Sequence, residues 1–226
     1  MTEYKVYFIG AGPGSSELLT LRGARLLAGC DTVFVPPPFE ETMCVHLAGK
    51  SVEVPFDYRF EDLLARLGEL LETGPVAFLV PGDLTFYSPF QPFIDALGSR
   101  AEVVPGVGTA NVASSLLGKT LDLPDVSSRA VIVSPRTLGD DNAVTIRRLA
   151  EPGVTLLIYM NNIPLPDLAT DLRAGYGSNV PIAIMHRLCL PGQEVVVGRL
   201  DDIVERVGAR DFFNLESEDK RPALTL

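Results

Sequence analysis

The sequence predicts an α/β chain of two domains, with a mostly parallel sheet in the first half and a mixed sheet in the second. Three observations predict it. From Val6 to Leu117, short apolar runs alternate with helical patterns, the signature of parallel strands joined by crossover helices. The run Val76–Val80 is continuously apolar, as a strand covered on both faces must be. Beyond Gly118 the pattern changes, and Ile182–His186 and Glu194–Val197 flank a short connection containing Pro191-Gly192, which reads as an antiparallel hairpin.

The elements follow in order. Val6-Tyr7-Phe8-Ile9 is a buried strand leading into a glycine loop. Glu17–Ala28 places Leu18, Leu19, Leu21, Ala24, Leu27 and Ala28 at mainly helical spacing, and Thr32–Val35 is a strand stopped by Pro36-Pro37-Pro38. Phe60–Leu71 is amphipathic and ends before Gly74-Pro75, a helix stop. Strand Val76–Val80, helix Phe90–Leu97, strand Ala101–Val104 and helix Val107–Leu117 complete the first half. A boundary is expected near residues 117–122, giving domains 1–118 and 119–226. The second contains strands Ala130–Ser134 and Thr155–Tyr159 around a helix at Asp141–Ala150, a helix at Leu165–Leu172, the hairpin, a short helix at Asp201–Val207 and a closing strand at Ala223–Leu226.

Composition narrows the function classes. Apolar residues make up 46% of the 226, ample for packed cores, yet no uninterrupted apolar run is long enough to span a bilayer, so a membrane protein is not expected. The start lacks the basic flank and cleavage site of a signal peptide. Three dispersed cysteines and two histidines offer neither a disulfide framework nor a zinc site, so no metal is expected and a reducing cytoplasm fits. A net charge of −10 with no dense Lys/Arg run argues against nucleic acid.

Gly10-Ala11-Gly12-Pro13-Gly14 stands where phosphate-binding loops stand. A dinucleotide fingerprint needs G-x-G-x-x-G, but the third glycine comes one residue early, and Pro13 has no N–H to offer a pyrophosphate. By itself the loop is equally a tight strand-to-helix turn. Two more loops follow strands in the same way: Pro81-Gly82-Asp83, and Pro105-Gly106-Val107-Gly108-Thr109. Three such loops at strand C-termini are placed to converge on one crevice, where open α/β sheets bind ligands. On these residues alone, an NAD-dependent oxidoreductase and a non-catalytic nucleotide-binding module stay open.

The sequence resembles the tetrapyrrole (corrin/porphyrin) methylase family. The resemblance is carried by Val6–Gly14 with Glu17–Ala24, then Pro81-Gly82-Asp83, Val103–Val107, Ile158-Tyr159-Met160 and Pro181-Ile182-Ala183, in that order. Leu123–Ser127 and His186–Gly198, with the opening segment, look most like the precorrin-4 and cobalt-precorrin-4 methylases that modify carbon 11; Phe86–Phe90 looks instead like the precorrin-2 methylases that modify carbon 20. The resemblance implies a class III methyltransferase-like fold, a cofactor cleft between two α/β domains, S-adenosylmethionine as methyl donor with S-adenosylhomocysteine as product, a tetrapyrrole substrate, and a cytoplasmic homodimer. It places Pro13, Gly82, Asp83, Leu84, Phe86, Gly108, Thr109, Met160 and Ala183 at the cofactor. Leu84 stands where the family commonly has proline, and Gly108-Thr109 where a Ser/Thr pair is usual.

The chemistry so implied asks little of side chains. The methyl group of a sulfonium is already activated, so the protein mainly aligns and excludes water, and no catalytic acid or base is identified. Asp83 reads either as a cofactor contact or as an N-cap for the following helix. Met160 reads as core by pattern, His186 as a structural histidine, and Arg187 as pointing to the opposite face of a regular strand. Arg22, Arg129 and Arg136 are candidate partners for substrate carboxylates or plain surface arginines; Tyr87 is a stacking or a core residue.

Overall fold

The computed structural model describes residues 4–138, 142–213 and 223–225. The chain divides into two compact units, Met1–Val112 and Ala113–Leu226.

The first unit is a parallel sheet with helices on both faces. Its strands are β1 (Val6–Gly10), β2 (Thr32–Phe34), β3 (Ser51–Glu53), β4 (Val76–Val80) and β5 (Ala101–Val104), in the order β3-β2-β4-β1-β5. Every pairing is parallel. The helices are α1 (Leu21–Ala28), α2 (Phe39–Thr42), α3 (Cys44–Leu47), α4 (Phe60–Leu70), α5 (Gln91–Leu97) and α6 (Thr109–Leu117); α6 crosses into the second unit. Side chains on successive residues of a strand point to opposite faces, and two cores result. On one face Val6, Phe8, Phe34, Val76, Phe78 and Val80 meet Leu63 and Leu67 of α4 and Phe93 and Leu97 of α5. On the other, Ile9, Val33, Ala77 and Leu79 meet Leu27, Phe39, Met43 and Leu47. That double coverage is why all five residues of β4 are buried.

Two details depart from the sequence reading. The helix expected from Glu17 begins at Leu21, because the Thr20 side chain accepts a hydrogen bond from Gly23 N (3.1 Å) and caps it there. Residues 39–53, which carry no clear periodicity, form two one-turn helices and the three-residue strand β3.

Glu53 closes β3, accepting from Arg66 Nη2 (2.8 Å) and Tyr58 OH (2.6 Å). Arg66 above all holds its carboxyl below the ordinary range, with Tyr58 assisting against the effect of burial. Such a carboxylate adds stability that is complete above the unfolded pKa, about 4.3, and is lost as pH falls through the folded value. Glu53→Gln is therefore expected to lower the melting temperature at neutral pH and to flatten its decline in acid. Parallel melting-temperature profiles for the two proteins would reject the link.

The second unit holds β6 (Arg129–Val133), α7 (Asn142–Leu149), β7 (Val154–Tyr159), α8 (Leu165–Tyr176), β8 (Pro181–His186), β9 (Glu194–Arg199), α9 (Ile203–Val207) and β10 (Ala223–Thr225). The sheet order is β6-β7-β10-β8-β9. β6 and β7 are parallel, and the other neighbours are antiparallel, so the sheet is mixed. The hairpin forms as expected. The closing strand lies inside the sheet rather than at its edge, between β7 and β8, and Leu226 falls outside the described residues. α8 runs four residues past the expected end at Leu172, to Tyr176, where Gly177 at φ +65° ends it. One face of the sheet packs Leu156, Ile158, Ile182 and Ile184 against Ile146 of α7, Leu168 and Leu172 of α8 and Ile203 of α9.

Cys30, Cys44 and Cys189 are free thiols, and burial pushes the Cys30 thiol up to about 11. Among the described residues no group of three or more His, Cys, Asp or Glu is arranged to hold a metal, and no helix is long and apolar enough to cross a membrane.

Candidate cofactor site

The C-terminal ends of β1, β4 and β5 lie side by side, and their loops are locked together backbone to backbone. Ala11 N donates to Val80 O (2.8 Å). Gly12 N donates to Gly82 O (2.9 Å), and Gly82 N returns a bond to Gly12 O (2.7 Å), an isolated antiparallel bridge between the first and second loops. Both glycines have φ near +70°, a conformation other residues adopt only under strain.

The third loop closes on the other two. A Cβ on Gly10 would stand 2.5 Å from Gly106 N, and one on Gly106 would stand 2.5 Å from Gly82 O. No side chain fits at either position. Thr109 Oγ1 would lie 3.4 Å from a Cβ on Gly82. The three loops thus meet backbone to backbone, and α6 begins at Thr109 with the positive end of its dipole at this edge.

Asp83 belongs to this surface and is not an N-cap. The next helix, α5, starts at Gln91 with Phe90 as its cap and no side-chain bond there. Instead Asp83 Oδ1 accepts from Thr85 N (2.7 Å) and Thr85 Oγ1 (2.5 Å), a local turn. Oδ2 is directed toward the third loop, 3.9 Å from where a Cβ on Gly108 would stand. Pro13 is buried beside Gly12 and Gly14. Leu84 packs partly against the Phe78 core, while Phe86 is exposed and Tyr87 is half-buried at φ +57°.

The first loop is also wrongly placed for a dinucleotide. In that fold the glycine loop opens directly into a helix whose N-terminus faces the pyrophosphate. Here residues 11–20 intervene between β1 and α1, including a 3₁₀ turn at Ser16–Leu18.

Two expected site residues lie in the second unit. Met160 follows β7 directly and has φ +50°, an uncommon conformation for a long unbranched residue. Asn161, which no sequence signal singled out, is buried and clamps the corner: its Nδ2 donates to Ile163 O (2.6 Å), and its Oδ1 accepts from Ile163 N (3.3 Å). Ala183 is buried in the interior of β8 on the face opposite Ile182 and Ile184. Met160 and Ala183 share a sheet without being neighbours, since β10 separates their strands.

Of the arginines, Arg22 pairs with Glu102 (2.6 Å) and Arg129 with Glu151 (3.3 Å), and Arg136 is exposed. His186 stacks on Phe212 with centroids 5.4 Å apart, in keeping with a structural role. Arg187 lies just beyond the end of β8 at φ +53°, so strand alternation does not set its direction.

The chain matches the tetrapyrrole (corrin/porphyrin) methylases over residues 5–204. It is 34% identical over 218 residues to a precorrin-4 C(11)-methyltransferase of Pseudomonas aeruginosa, covering 92% of this chain and 85% of that one. It is 27% identical to a cobalt-precorrin-4 C(11)-methyltransferase of Methanocaldococcus jannaschii, covering 90% and 82%. A crystallographic cobalt-precorrin-4 methyltransferase shares the fold at a TM-score of 0.77 and 19% identity, over 98% of this chain and 93% of that one. The uroporphyrin-III C-methyltransferase of Thermus thermophilus in complex with S-adenosylhomocysteine gives a TM-score of 0.71 at 25% identity, over 98% and 96%. The chain therefore belongs to the tetrapyrrole (corrin/porphyrin) methylase family.

Proposed function

We propose that this protein is an S-adenosylmethionine-dependent C-methyltransferase that modifies carbon 11 of precorrin-4 or its cobalt form. The observation that carries the acceptor is the 34% identity spread over 92% of the chain to an enzyme of that name. A second acceptor, carbon 20 of precorrin-2, draws support only from the segment Phe86–Phe90. The resemblance supports a homodimer, and together with three free cysteines it supports a cytoplasmic location; light scattering on purified protein tests the dimer.

The loop surface fits the cofactor. A sulfonium cofactor bearing an amino acid and a nucleoside needs hydrogen-bonding partners at close range, and the third-loop backbone at Gly108-Thr109 beside the Asp83 carboxylate would supply them. When bound, S-adenosylmethionine supplies an activated methyl group for in-line displacement by a substrate carbon. Gly108 and Thr109 would offer backbone and hydroxyl contacts, Gly82, whose N–H and carbonyl are bonded to Gly12, would line the pocket, Asp83 would accept a hydrogen bond at Oδ2, and Pro13 and Leu84 would exclude water. Phe86, Met160 and Ala183 are assigned apolar contacts on the same reading. These residues hold and align the cofactor; none of them is asked to move a proton.

Asp83→Asn is the sharpest test, because the amide still accepts both Thr85 bonds through its oxygen while the charge is removed. It should weaken S-adenosylhomocysteine about tenfold or more, as for loss of a hydrogen bond to a charged group, with an unchanged melting temperature. Asp83→Ala should weaken it at least as much. Wild-type affinity in calorimetric titrations of both variants would reject the cofactor role of Asp83. Binding of NADH in place of S-adenosylhomocysteine would reject the methyltransferase reading itself. For the acceptor, mass spectrometry should find one added methyl on precorrin-4 or cobalt-precorrin-4 and none on precorrin-2.

A further inference from the structure

Arg187 is held in a way that a surface arginine is not. Its φ of +53° lies in the left-handed region, which costs free energy in any residue with a Cβ and persists only where the surroundings enforce it. The surroundings here do enforce it. Leu190 N donates to Arg187 O (2.9 Å), Gln193 N to Leu190 O (3.0 Å), and Cys189 N to the Gln193 side chain (2.7 Å). The result is a tight β8–β9 connection that also holds Cys189 at φ +60°. The guanidinium lies over this turn, its Nη1 only 3.4 Å from where a Cβ on Gly192 would stand.

Among the described residues its charge is unanswered: Arg187 Nε is buried without a hydrogen-bond partner, and no acidic group pairs with the guanidinium. Other arginines differ: Arg22, Arg66, Arg129, Arg206 and Arg210 each pair with a carboxylate, and Arg136 is exposed to water. A guanidinium is a planar fork matched to a carboxylate, and leaving a buried donor unused is costly. Strain and an unused donor at one residue point to a ligand outside the chain.

The location agrees. β6 and β7 run parallel, and β7 and β8 are both antiparallel to β10, so β6, β7 and β8 all end on one edge. The pairing of Leu224 with Tyr159 and of Ala223 with His186 sets the ends of β7 and β8 level across β10. Arg187 and Met160 thus leave the sheet at the same edge, both with positive φ. The chain's net charge of −10 repels a polyanion at long range, so recognition of one calls for a local cation of this kind.

We propose that Arg187 anchors a peripheral carboxylate of the tetrapyrrole acceptor and so helps select polycarboxylated macrocycles. This rests on the reading that the acceptor is a tetrapyrrole, and it concerns substrate binding, separate from the cofactor contacts. The probe is uroporphyrin III, a fluorescent polycarboxylate, with its fully esterified form as the uncharged control, titrated into the full-length protein.

Arg187→Gln should weaken uroporphyrin about tenfold or more. Arg187→Lys, which keeps the charge and loses the fork, should fall between. S-adenosylhomocysteine affinity should be unchanged, the ester should not distinguish wild type from variants, and the melting temperature should not fall, because the backbone strain is the same for any residue with a Cβ and the variant loses only an unused buried donor. Equal uroporphyrin affinity in wild type and Arg187→Gln overturns the proposal. So does joint loss of both ligands with a lowered melting temperature, which marks a structural arginine. Failure of the wild type to bind uroporphyrin while S-adenosylhomocysteine still binds overturns the anchor and leaves the cofactor reading standing. Failure to bind either overturns both.

Discussion

Gly10→Ala is expected to abolish S-adenosylhomocysteine binding, by at least about a hundredfold, and to destabilise the protein by about 3 kcal/mol, the upper end for overpacking. The added methyl would stand 2.5 Å from Gly106 N, 2.6 Å from Gly106 Cα and 3.1 Å from Gly82 O. All three atoms are backbone, so no rotamer change relieves the clash. β1 must move away from the start of the third loop, or the loop must lift from the ends of β1 and β4, and either movement breaks the surface on which all three glycine loops meet. At roughly 2–4 °C per kcal/mol for a chain of this size, the melting temperature should fall by about 10 °C. Gly68→Ala is the control. Gly68 lies within α4 with nothing within 4 Å of its would-be Cβ, so the change should be neutral or stabilising by up to about 1 kcal/mol. Calorimetry and thermal melts of the two variants settle the matter. A Gly10→Ala protein that binds S-adenosylhomocysteine as tightly as the wild type would show that the loop convergence is not the cofactor surface.

The convergence itself was partly legible. Glycines after β1, β4 and β5 can be read from the sequence, and parallel strands place them at one end of a sheet. The contacts between Gly10, Gly82 and Gly106 depend on strand order, with β1 between β4 and β5, and long-range pairing of that kind leaves no local mark. The position of β10 inside the second sheet is hidden for the same reason: Ala223–Thr225 reads as a strand, but nothing in three residues says which strands it joins. β3 leaves no mark in the sequence because Ser51-Val52-Glu53 at a sheet edge needs no apolar alternation. Helix starts went to local hydrogen bonds over periodicity, as Thr20 shows. The left-handed backbone at Met160 and Arg187 was unreadable, since neither residue type favours it; tertiary context imposes it. The choice of S-adenosylmethionine over a nucleotide came from the family resemblance, with the displaced third glycine and Pro13 only removing the dinucleotide.

Phe78→Ala should do the reverse of Gly10→Ala, costing stability while sparing the site. Phe8, Phe78 and Phe34 stand opposite one another on β1, β4 and β2 and form a row of rings across three strands. Phe78 sits at its centre, 5.1 Å from Phe8 and 5.4 Å from Phe34 between centroids, with Phe90 edge-on at 4.6 Å. It is fully buried, so truncation loses its transfer free energy, leaves a cavity and removes three ring contacts. The expected cost is about 4 kcal/mol, or a fall of about 8–16 °C in melting temperature. Phe78→Leu should cost less, because much of the volume remains. Neither change touches the bonds from Ala11 to Val80 and between Gly12 and Gly82, which are made by backbone beyond Phe78. Well below the melting temperature, then, S-adenosylhomocysteine should bind Phe78→Ala about as tightly as wild type. Weak binding by a variant that is still folded would mean that the core positions the loops directly, and that the glycine contacts alone do not hold their shape.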